Sequence, residues 1–188
     1  KSLSKDFGSL NIGVIKNIQK LGINEDVINA YETSKTVLTG LGHKLIEVDF
    51  SELSSGICSY YVIAPAECSS NLSRFDGVKY GYRSEGEKDI ANLYMNTRSD
   101  GFGDEVKKRI LIGTHVLSAG FYDAYYLQAQ KVRRMIKVKF ENFFKEVDLI
   151  FMPTTLDQAF EKNRESSDPN RMYKEDLLTI PANLAGLP

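Results

Sequence analysis

The run Asn11-Ile-Gly-Val-Ile-Lys16 is short and rich in β-branched residues, and residues 43–50 form a second run of strand character. Both patterns are typical of buried strands. Between them Asn24 is a good helix N-cap, and Glu25 and Asp26 in the following turn favour the helix dipole. The order strand, helix, strand predicts a βαβ unit with two parallel strands and a right-handed crossover.

Helical patterns dominate the middle of the chain. Residues 54–75 are predicted to form a helix that Pro65 kinks or splits in two. Its expected buried stripe, at helical spacing, is Ile57, Tyr61, Ala64, Cys68 and Leu72. Residues 76–89 are polar and contain three glycines, so we expect a surface loop there.

The remaining residues alternate between helix and strand. Further helices are expected over residues 89–99, 104–120, 122–146 and 172–178, with a third strand at residues 148–152. The chain is therefore predicted to have an α/β layered fold. Three strands are few for so many helices, which indicates that these strands are part of a larger sheet.

Composition excludes several classes of protein. The 188 residues are 42% hydrophobic and 26% charged, as in soluble globular domains, and the net charge of −1 argues against a general nucleic-acid-binding surface. The apolar runs are too short to span a bilayer. Cys58 and Cys68 are separated by roughly 15 Å if they share one helix, too far for a disulfide. We expect a cytoplasmic protein, and neither Lys1 nor Pro188 resembles a natural terminus.

The sequence contains no complete set of residues for the common chemistries. His43 and His115 are far apart and have no ligand-like neighbours, so no metal site is expected. The two glycine-rich motifs that bind phosphates, G-x-x-x-x-G-K-[ST] and G-x-G-x-x-G after a strand, do not occur in the sequence. His115 is interpreted as a structural residue, and Cys58 and Cys68 as buried, inert cysteines because no activating base lies nearby in sequence. No catalytic nucleophile is predicted.

The helix predicted over residues 104–120 has one unusual face. Val106, Ile110 and Leu117 are expected to be buried, whereas the neighbouring face combines Arg109 with glycines, including Gly113. Small residues beside a guanidinium suit the approach of a ligand or of another backbone. Basic residues elsewhere on the helices are interpreted as solvated faces.

Several long runs resemble the A subunit of the glutamyl-tRNA(Gln)/aspartyl-tRNA(Asn) amidotransferases, within the amidase-signature family. The first is Tyr60-Tyr-Val-Ile-Ala-Pro-Ala-Glu-Cys-Ser-Ser-Asn-Leu-Ser-Arg-Phe-Asp-Gly-Val-Lys-Tyr-Gly-Tyr-Arg83. The others are Gly101-Phe-Gly-Asp-Glu-Val-Lys-Lys-Arg-Ile-Leu-Ile-Gly-Thr114, Leu117-Ser-Ala-Gly-Phe-Tyr-Asp-Ala-Tyr-Tyr126, Met152-Pro-Thr-Thr155, Met172-Tyr-Lys-Glu-Asp176 and Thr179-Ile-Pro-Ala-Asn-Leu-Ala-Gly-Leu-Pro188. The likeness covers nearly the whole chain, so residues 1–188 are interpreted as part of one amidase domain.

The resemblance implies a mixed β-sheet flanked by helices and a Ser–cis-Ser–Lys triad that releases ammonia from glutamine. It also implies a B subunit that uses ATP and Mg to amidate misacylated tRNA, and a small C subunit that holds the other two together. No cofactor is expected in this chain itself. In the family, the Lys and the Gly/Ser-rich loop of the triad lie before the matched region, and no Gly-Gly-Ser-Ser loop occurs in these 188 residues. The chain alone is therefore expected to be inactive.

The resemblance further implies that Tyr60, Arg109 and Asp176 recognise glutamine. Arg109 suits the α-carboxylate and Asp176 the α-ammonium, while Tyr60 offers a ring edge and a hydroxyl. The alternative for these residues is a structural Arg–Asp ion pair with a core Tyr. Two other functions stay open: part of another amidase-signature hydrolase, or a non-catalytic domain that binds an amino acid or a partner. Whether Glu-tRNA or Asp-tRNA is the acceptor is not encoded in this segment.

Overall fold

The contacts along the chain divide it into two units. A computed structural model describes residues 7–86, 88–160, 162 and 175–188. The first unit comprises Lys1–Ile57 and Val132–Pro188 and is called the sheet unit; the second comprises Cys58–Lys131 and is called the helical unit.

Three strands form the sheet of the sheet unit, namely β1 (Asn11–Ile15), β2 (Lys44–Val48) and β3 (Leu149–Phe151). Their order is β2-β1-β3, and both pairings of the central strand are parallel. The three strands, their positions and the parallel βαβ pairing predicted from sequence are thereby confirmed, as is the α/β fold class.

Six helices accompany the strands among the described residues. They are α1 (Glu25–Gly40), α2 (Gly56–Leu72), α3 (Ile90–Gly101), α4 (Asp104–Val116), α5 (Leu127–Phe143) and α6 (Ile180–Ala185). Short 3-10 turns lie at Ile18–Leu21 and Ser51–Ser55, and one π-helical turn, Tyr122–Tyr126, precedes α5. The boundary between the two units falls inside α2 and again inside α5.

Helix α1 begins as the sequence predicts. The side chain of Asn24 accepts a hydrogen bond of 2.9 Å from the backbone N–H of Asp26, which satisfies one of the helix's orphan donors. After the helix, Gly42 has a φ of +87°, a conformation that glycine adopts at little cost. The chain then turns directly into β2.

Tyr31 fastens α1 to the sheet. Its hydroxyl accepts a hydrogen bond of 2.9 Å from the N–H of Ile15 in β1 and donates one of 3.1 Å to the carbonyl of Phe151 in β3. Its ring stacks on Phe151 with 5.2 Å between centroids. Burial, with Tyr31 only 3% exposed, raises the pKa of its hydroxyl to about 12. One side chain thus links a helix to two strands.

For the long helix before β3, helical spacing predicts a buried stripe of Val132, Ile136, Phe140, Phe143 and Val147. The core of the sheet unit confirms it in part, since Val132 and Phe143 are only half-buried. Ile136, Phe140 and the following Val147 are buried, and Phe140 meets Phe50 edge-on at 5.9 Å. In α6, Ile180 and Leu184 are buried as well. Arg133 of α5 donates a hydrogen bond of 3.1 Å to the carbonyl of Leu184, near the end of α6.

The predicted stripe of α2 is wrong. Ile57, Tyr61, Ala64, Cys68 and Leu72 are all only half-buried. The fully buried face instead carries Ser59, Ile63 and Ala66, together with Pro65. Helix α2 itself carries apolar residues on almost every side, so their spacing does not identify which face is buried. The helix also continues from Gly56 to Leu72 through Pro65 without being split.

Other expectations fail because tertiary contacts decide exposure. Cys58 is exposed and Cys68 half-buried, so the interpretation of both as buried cysteines is wrong, although both are free thiols as predicted. Leu117, expected in the core, is 37% exposed because the neighbouring face of α4 is the buried one. Of the helix predicted over residues 172–178, residues 172–174 lie outside the described residues. Residue 175 is helical, residues 176–178 form turns, and α6 begins at residue 180.

The loop after α2 is held by α3, within the helical unit. Arg98 of α3 donates hydrogen bonds to the carbonyls of Leu72 and Phe75, at 2.9 and 3.0 Å, and its guanidinium lies 5.0 Å from the ring of Phe102. The hydroxyl of Thr97, a residue only 3% exposed, accepts from the N–H of Ser84 at 3.0 Å. Residues 76–86, 88 and 89 form a loop, as predicted, and α3 anchors it.

The Tyr31 hydroxyl gives a direct test of this packing. Tyr31→Phe should lower the free energy of unfolding by about 1–3 kcal/mol, because a buried N–H and a buried C=O lose their shared partner. Chemical denaturation measures the change. In the wild type, the raised pKa means that this stability is complete below pH 10 and is lost as the pH rises from 10 towards about 12.

Tyr125→Phe is the matched control, since that residue is 50% exposed. Its removal should leave stability within about 0.5 kcal/mol of the wild type. Equal effects of the two substitutions would contradict the role of Tyr31.

Candidate functional site

The N-terminus of α4 places Arg109. Phe102 is extended, Gly103 takes the N-cap position, and Asp104 and Glu105 fill the first turn of the helix. Acidic residues at this end are stabilised by the helix dipole. Arg109 follows one turn later, on the same side of the helix as Glu105.

Helices α2 and α4 touch backbone to backbone at Gly113. A Cβ added at position 113 would overlap the carbonyl of Pro65 and lie 2.7 Å from the Cβ of Ser69. Only a glycine therefore allows the two helices to approach this closely. The sequence-based expectation that this face of α4 admits another backbone is confirmed, and that backbone belongs to α2.

Three contacts follow one another in the same order along both helices. They are Tyr60 with Arg109, Pro65 with Gly113, and Ser69 with Thr114. The last is a hydroxyl–hydroxyl hydrogen bond of 2.9 Å. The helices thus run in the same direction along this line, and the close approach at Gly113 brings Tyr60 and Arg109 together.

The guanidinium of Arg109 has two partners within the helical unit. Its Nε donates a hydrogen bond of 3.1 Å to Oε1 of Glu105. Hydrogen bonding to the Glu105 carboxylate, with a further hydrogen bond to the Tyr60 hydroxyl, raises the pKa of Arg109 above its ordinary value, although burial opposes the rise. With its side chain 35% exposed, Arg109 is a fixed positive charge that solvent and ligands can reach.

Tyr60 is half-buried, and its ring meets that of Tyr61 edge-on with 5.1 Å between centroids. This contact favours one ring orientation. The structure therefore brings together two of the three residues predicted to form the site.

Asp176 belongs to the other unit. It is half-buried in the turn before α6, and its backbone carbonyl accepts a hydrogen bond of 3.0 Å from the N–H of Ile180. No hydrogen bond or ion pair of its carboxylate is found among those formed by the described residues. The alternative of a structural Arg–Asp ion pair stays a prediction.

Clefts of about 390 and 310 Å³ lie outside this pair of residues. In the helical unit, a cavity of about 390 Å³ is lined by Ala66, Glu67, Ser70, Asn71, Leu117, Tyr122 and Tyr126. In the sheet unit, a cavity of about 310 Å³ lies between α1 and the end of β3. The described residues include no group of three or more His, Cys, Asp and Glu side chains placed to hold a metal ion. Within the same residues, no helix has the length and apolar character to cross a bilayer.

Sequence reasoning missed the partner of Arg109. Glu105 and Arg109 are four residues apart with the acidic residue first, the favourable order for a helical ion pair, so spacing could have identified the contact. It also missed both cavities, because their linings are separated in sequence.

The amidase family model matches residues 1–188. The chain belongs to the amidase family. Its fold, its Gly113 crossing and the Tyr60–Arg109 contact are therefore features of an amidase domain.

Curated relatives within the amidase family are similar along the full chain. The chain is 51% identical over 187 residues to the A subunit of glutamyl-tRNA(Gln) amidotransferase from Hahella chejuensis, and 47% identical over 188 residues to that from Thermosynechococcus vestitus. In both cases the whole chain is covered, but only 39% of the relative. The chain thus spans about two fifths of the length of these relatives.

Solved amidase-family structures agree with the fold. The A subunit of glutamyl-tRNA(Gln) amidotransferase from Thermotoga maritima aligns with a TM-score of 0.68 and 35% identity, over 99% of this chain and 35% of that one. An amidase crystal structure aligns with a TM-score of 0.70 and 16% identity, over 97% of this chain and 37% of that one. At that identity the second likeness concerns the fold alone.

The crossing at Gly113 can be tested by one methyl group. Gly113→Ala should destabilise the protein by about 1–3 kcal/mol, because the new Cβ meets a helix backbone that cannot move aside alone. Chemical denaturation measures the loss, and circular dichroism verifies that the helices persist.

Gly40→Ala is the matched control, since position 40 is also helical but has open space around it. Here alanine should be neutral or stabilising by up to about 1 kcal/mol. Stabilisation by both substitutions would show that α2 and α4 are not in close contact.

Proposed function

We propose that this chain is the glutamine-recognition part of the glutaminase subunit of a tRNA-dependent amidotransferase. The observation that carries the proposal is the contact of Tyr60 with Arg109 across the close approach of α2 and α4. It is supported by the similarity, along the whole chain, to the A subunits of such enzymes.

Arg109 is suited to the α-carboxylate of glutamine. Its Nε is engaged by Glu105, so a ligand carboxylate would bind the two Nη groups at the end of the guanidinium. Two parallel N–H···O bonds from one planar group fix both the position and the plane of a carboxylate. The Tyr60 hydroxyl, which lies beside the same guanidinium, is proposed as a further group within reach of such a ligand.

Asp176 is proposed to bind the α-ammonium of glutamine. An ionised carboxylate only accepts hydrogen bonds, which matches a group that only donates them. Its half-burial strengthens an ionic contact relative to one in bulk water. Together, Arg109 and Asp176 would select a zwitterion and not an apolar amide.

The remaining steps are assigned to residues and chains beyond these 188 residues. A Ser–cis-Ser–Lys triad would attack the side-chain amide and release ammonia, and this chain alone would be inactive. Ammonia would pass to a B subunit that uses ATP and Mg to amidate Glu-tRNA(Gln) or Asp-tRNA(Asn), with a C subunit joining the other two. The complex is proposed to act in the cytoplasm, without a membrane.

Glutaminase kinetics of the full-length subunit in its complex test this assignment. Arg109→Lys and Asp176→Asn should each raise the KM for glutamine by about 10- to 100-fold. Lysine keeps the charge but cannot form the two parallel hydrogen bonds to a carboxylate, and asparagine lacks the charge that attracts the ammonium. The kcat at saturating glutamine should change much less, because these groups hold the ligand and do not take part in bond cleavage.

Arg134→Lys is the control, because Arg134 is an exposed arginine of α5. It should leave both constants unchanged. If all three variants hydrolyse glutamine like the wild type, glutamine recognition by these residues is excluded. The other candidate, an amidase acting on an uncharged amide, would then be favoured if the enzyme hydrolysed such a substrate better than glutamine.

A further inference from the structure

We propose that Glu105 is a positioning residue that aims the guanidinium of Arg109 at the ligand carboxylate. This inference rests on the proposed function and assigns a role to a residue that would not itself touch glutamine. The observation behind it is the hydrogen bond of 3.1 Å between Nε of Arg109 and Oε1 of Glu105.

The atoms used in this contact determine what remains for a ligand. A guanidinium can grip a carboxylate either with its two Nη groups or with Nε and one Nη. Because Glu105 takes Nε, only the first mode is left. The end of the fork, with both Nη groups, is thereby directed away from the first turn of α4.

Glu105 is well placed to serve as a fixed anchor. It lies in the first turn of α4, where the helix dipole stabilises a negative charge. The order Glu then Arg at i, i+4 is the favourable one for a pair on a helix surface. Tyr60 of α2 lies on the other side of the helix contact, beside the same guanidinium.

The ion pair of Glu105 with Arg109 contributes little to the stability of the fold. The side chains of Arg109 and Glu105 are 35% and 50% exposed, and helical ion pairs as exposed as this contribute little to stability. A long arginine side chain has many rotamers, and restricting them before the ligand arrives reduces the entropic cost of binding. The effect of Glu105 should therefore appear in ligand affinity.

A competing role would have the opposite sign. If Glu105 merely occupied Arg109 until glutamine displaced it, removing the carboxylate would free the guanidinium and tighten binding. In the positioning role, removing it loosens Arg109 and weakens binding. The direction of the change in KM therefore decides between the two roles.

The experiment measures glutaminase kinetics of the full-length subunit in its complex for Glu105→Ala and Glu105→Gln. Glu105→Ala should raise the KM for glutamine by about 2- to 10-fold, the worth of one hydrogen bond, with kcat nearly unchanged. Glu105→Gln keeps an oxygen that can accept from Nε, so it should recover most of the wild-type KM.

Asp104→Ala is the matched control. Asp104 is the adjacent carboxylate in the same turn, but it faces Lys107 at 3.6 Å and its side chain is 94% exposed. The Asp104→Ala substitution removes one negative charge from the same helix terminus without removing a contact of Arg109, so it should leave the KM for glutamine unchanged. An unchanged or lowered KM for Glu105→Ala, or an equal rise for Asp104→Ala, would overturn the proposal.

These outcomes are separable from failure of the proposed function. If Arg109→Lys raises KM and Glu105→Ala does not, glutamine recognition stands and the positioning role fails. If Arg109→Lys has no effect, the proposed function itself is refuted whatever Glu105→Ala does.

Discussion

The close approach of α2 and α4 at Gly113 is the constraint on which the candidate site depends. The carbonyl of Pro65 occupies the space that any side chain at position 113 would need. Glycine weakens an isolated helix by roughly 1 kcal/mol relative to alanine, so Gly113 inside the last turn of α4 has a local cost. That cost is offset by a contact between α2 and α4 that brings Tyr60 and Arg109, from two separate helices, close together.

In the sheet unit, Tyr31 is the residue that connects separate elements, as Gly113 does in the helical unit. The central strand β1 pairs on both sides, and a Cβ added at its Gly13 would lie 3.2 Å from the side chain of Ile150 in β3 and 3.4 Å from that of Val48 in β2. Tyr31 joins β1 and β3 at one end of this sheet, because its hydroxyl hydrogen-bonds to a backbone group of each strand. A polar group in a core is stabilising only when all its partners are satisfied, and here both are supplied by backbone groups.

Local rules predicted what is locally determined. The strands around Gly13, the Asn24 cap of α1 and the buried stripe of α5 follow from spacing within a few residues. The face of α2 was not predictable in this way, because an almost uniformly apolar helix can bury any side. The exposure of Cys58 and the contact at Pro65 depend on what packs alongside, which spacing within one helix does not encode. For the site, resemblance indicated Tyr60 and Arg109, whereas Glu105 could have been found from its i, i+4 spacing.

The hydrogen bonds of Arg98 to the end of α2 also affect how this part of the protein opens. Its two hydrogen bonds reach the carbonyls of Leu72 and Phe75, while the neighbouring Thr97 holds Ser84 in the loop. Helix α3 cannot unwind without releasing both the last turn of α2 and the loop between them. Amide protons throughout this segment would therefore exchange with solvent through one shared opening event, making the last turn of α2, the loop and α3 a single cooperative element.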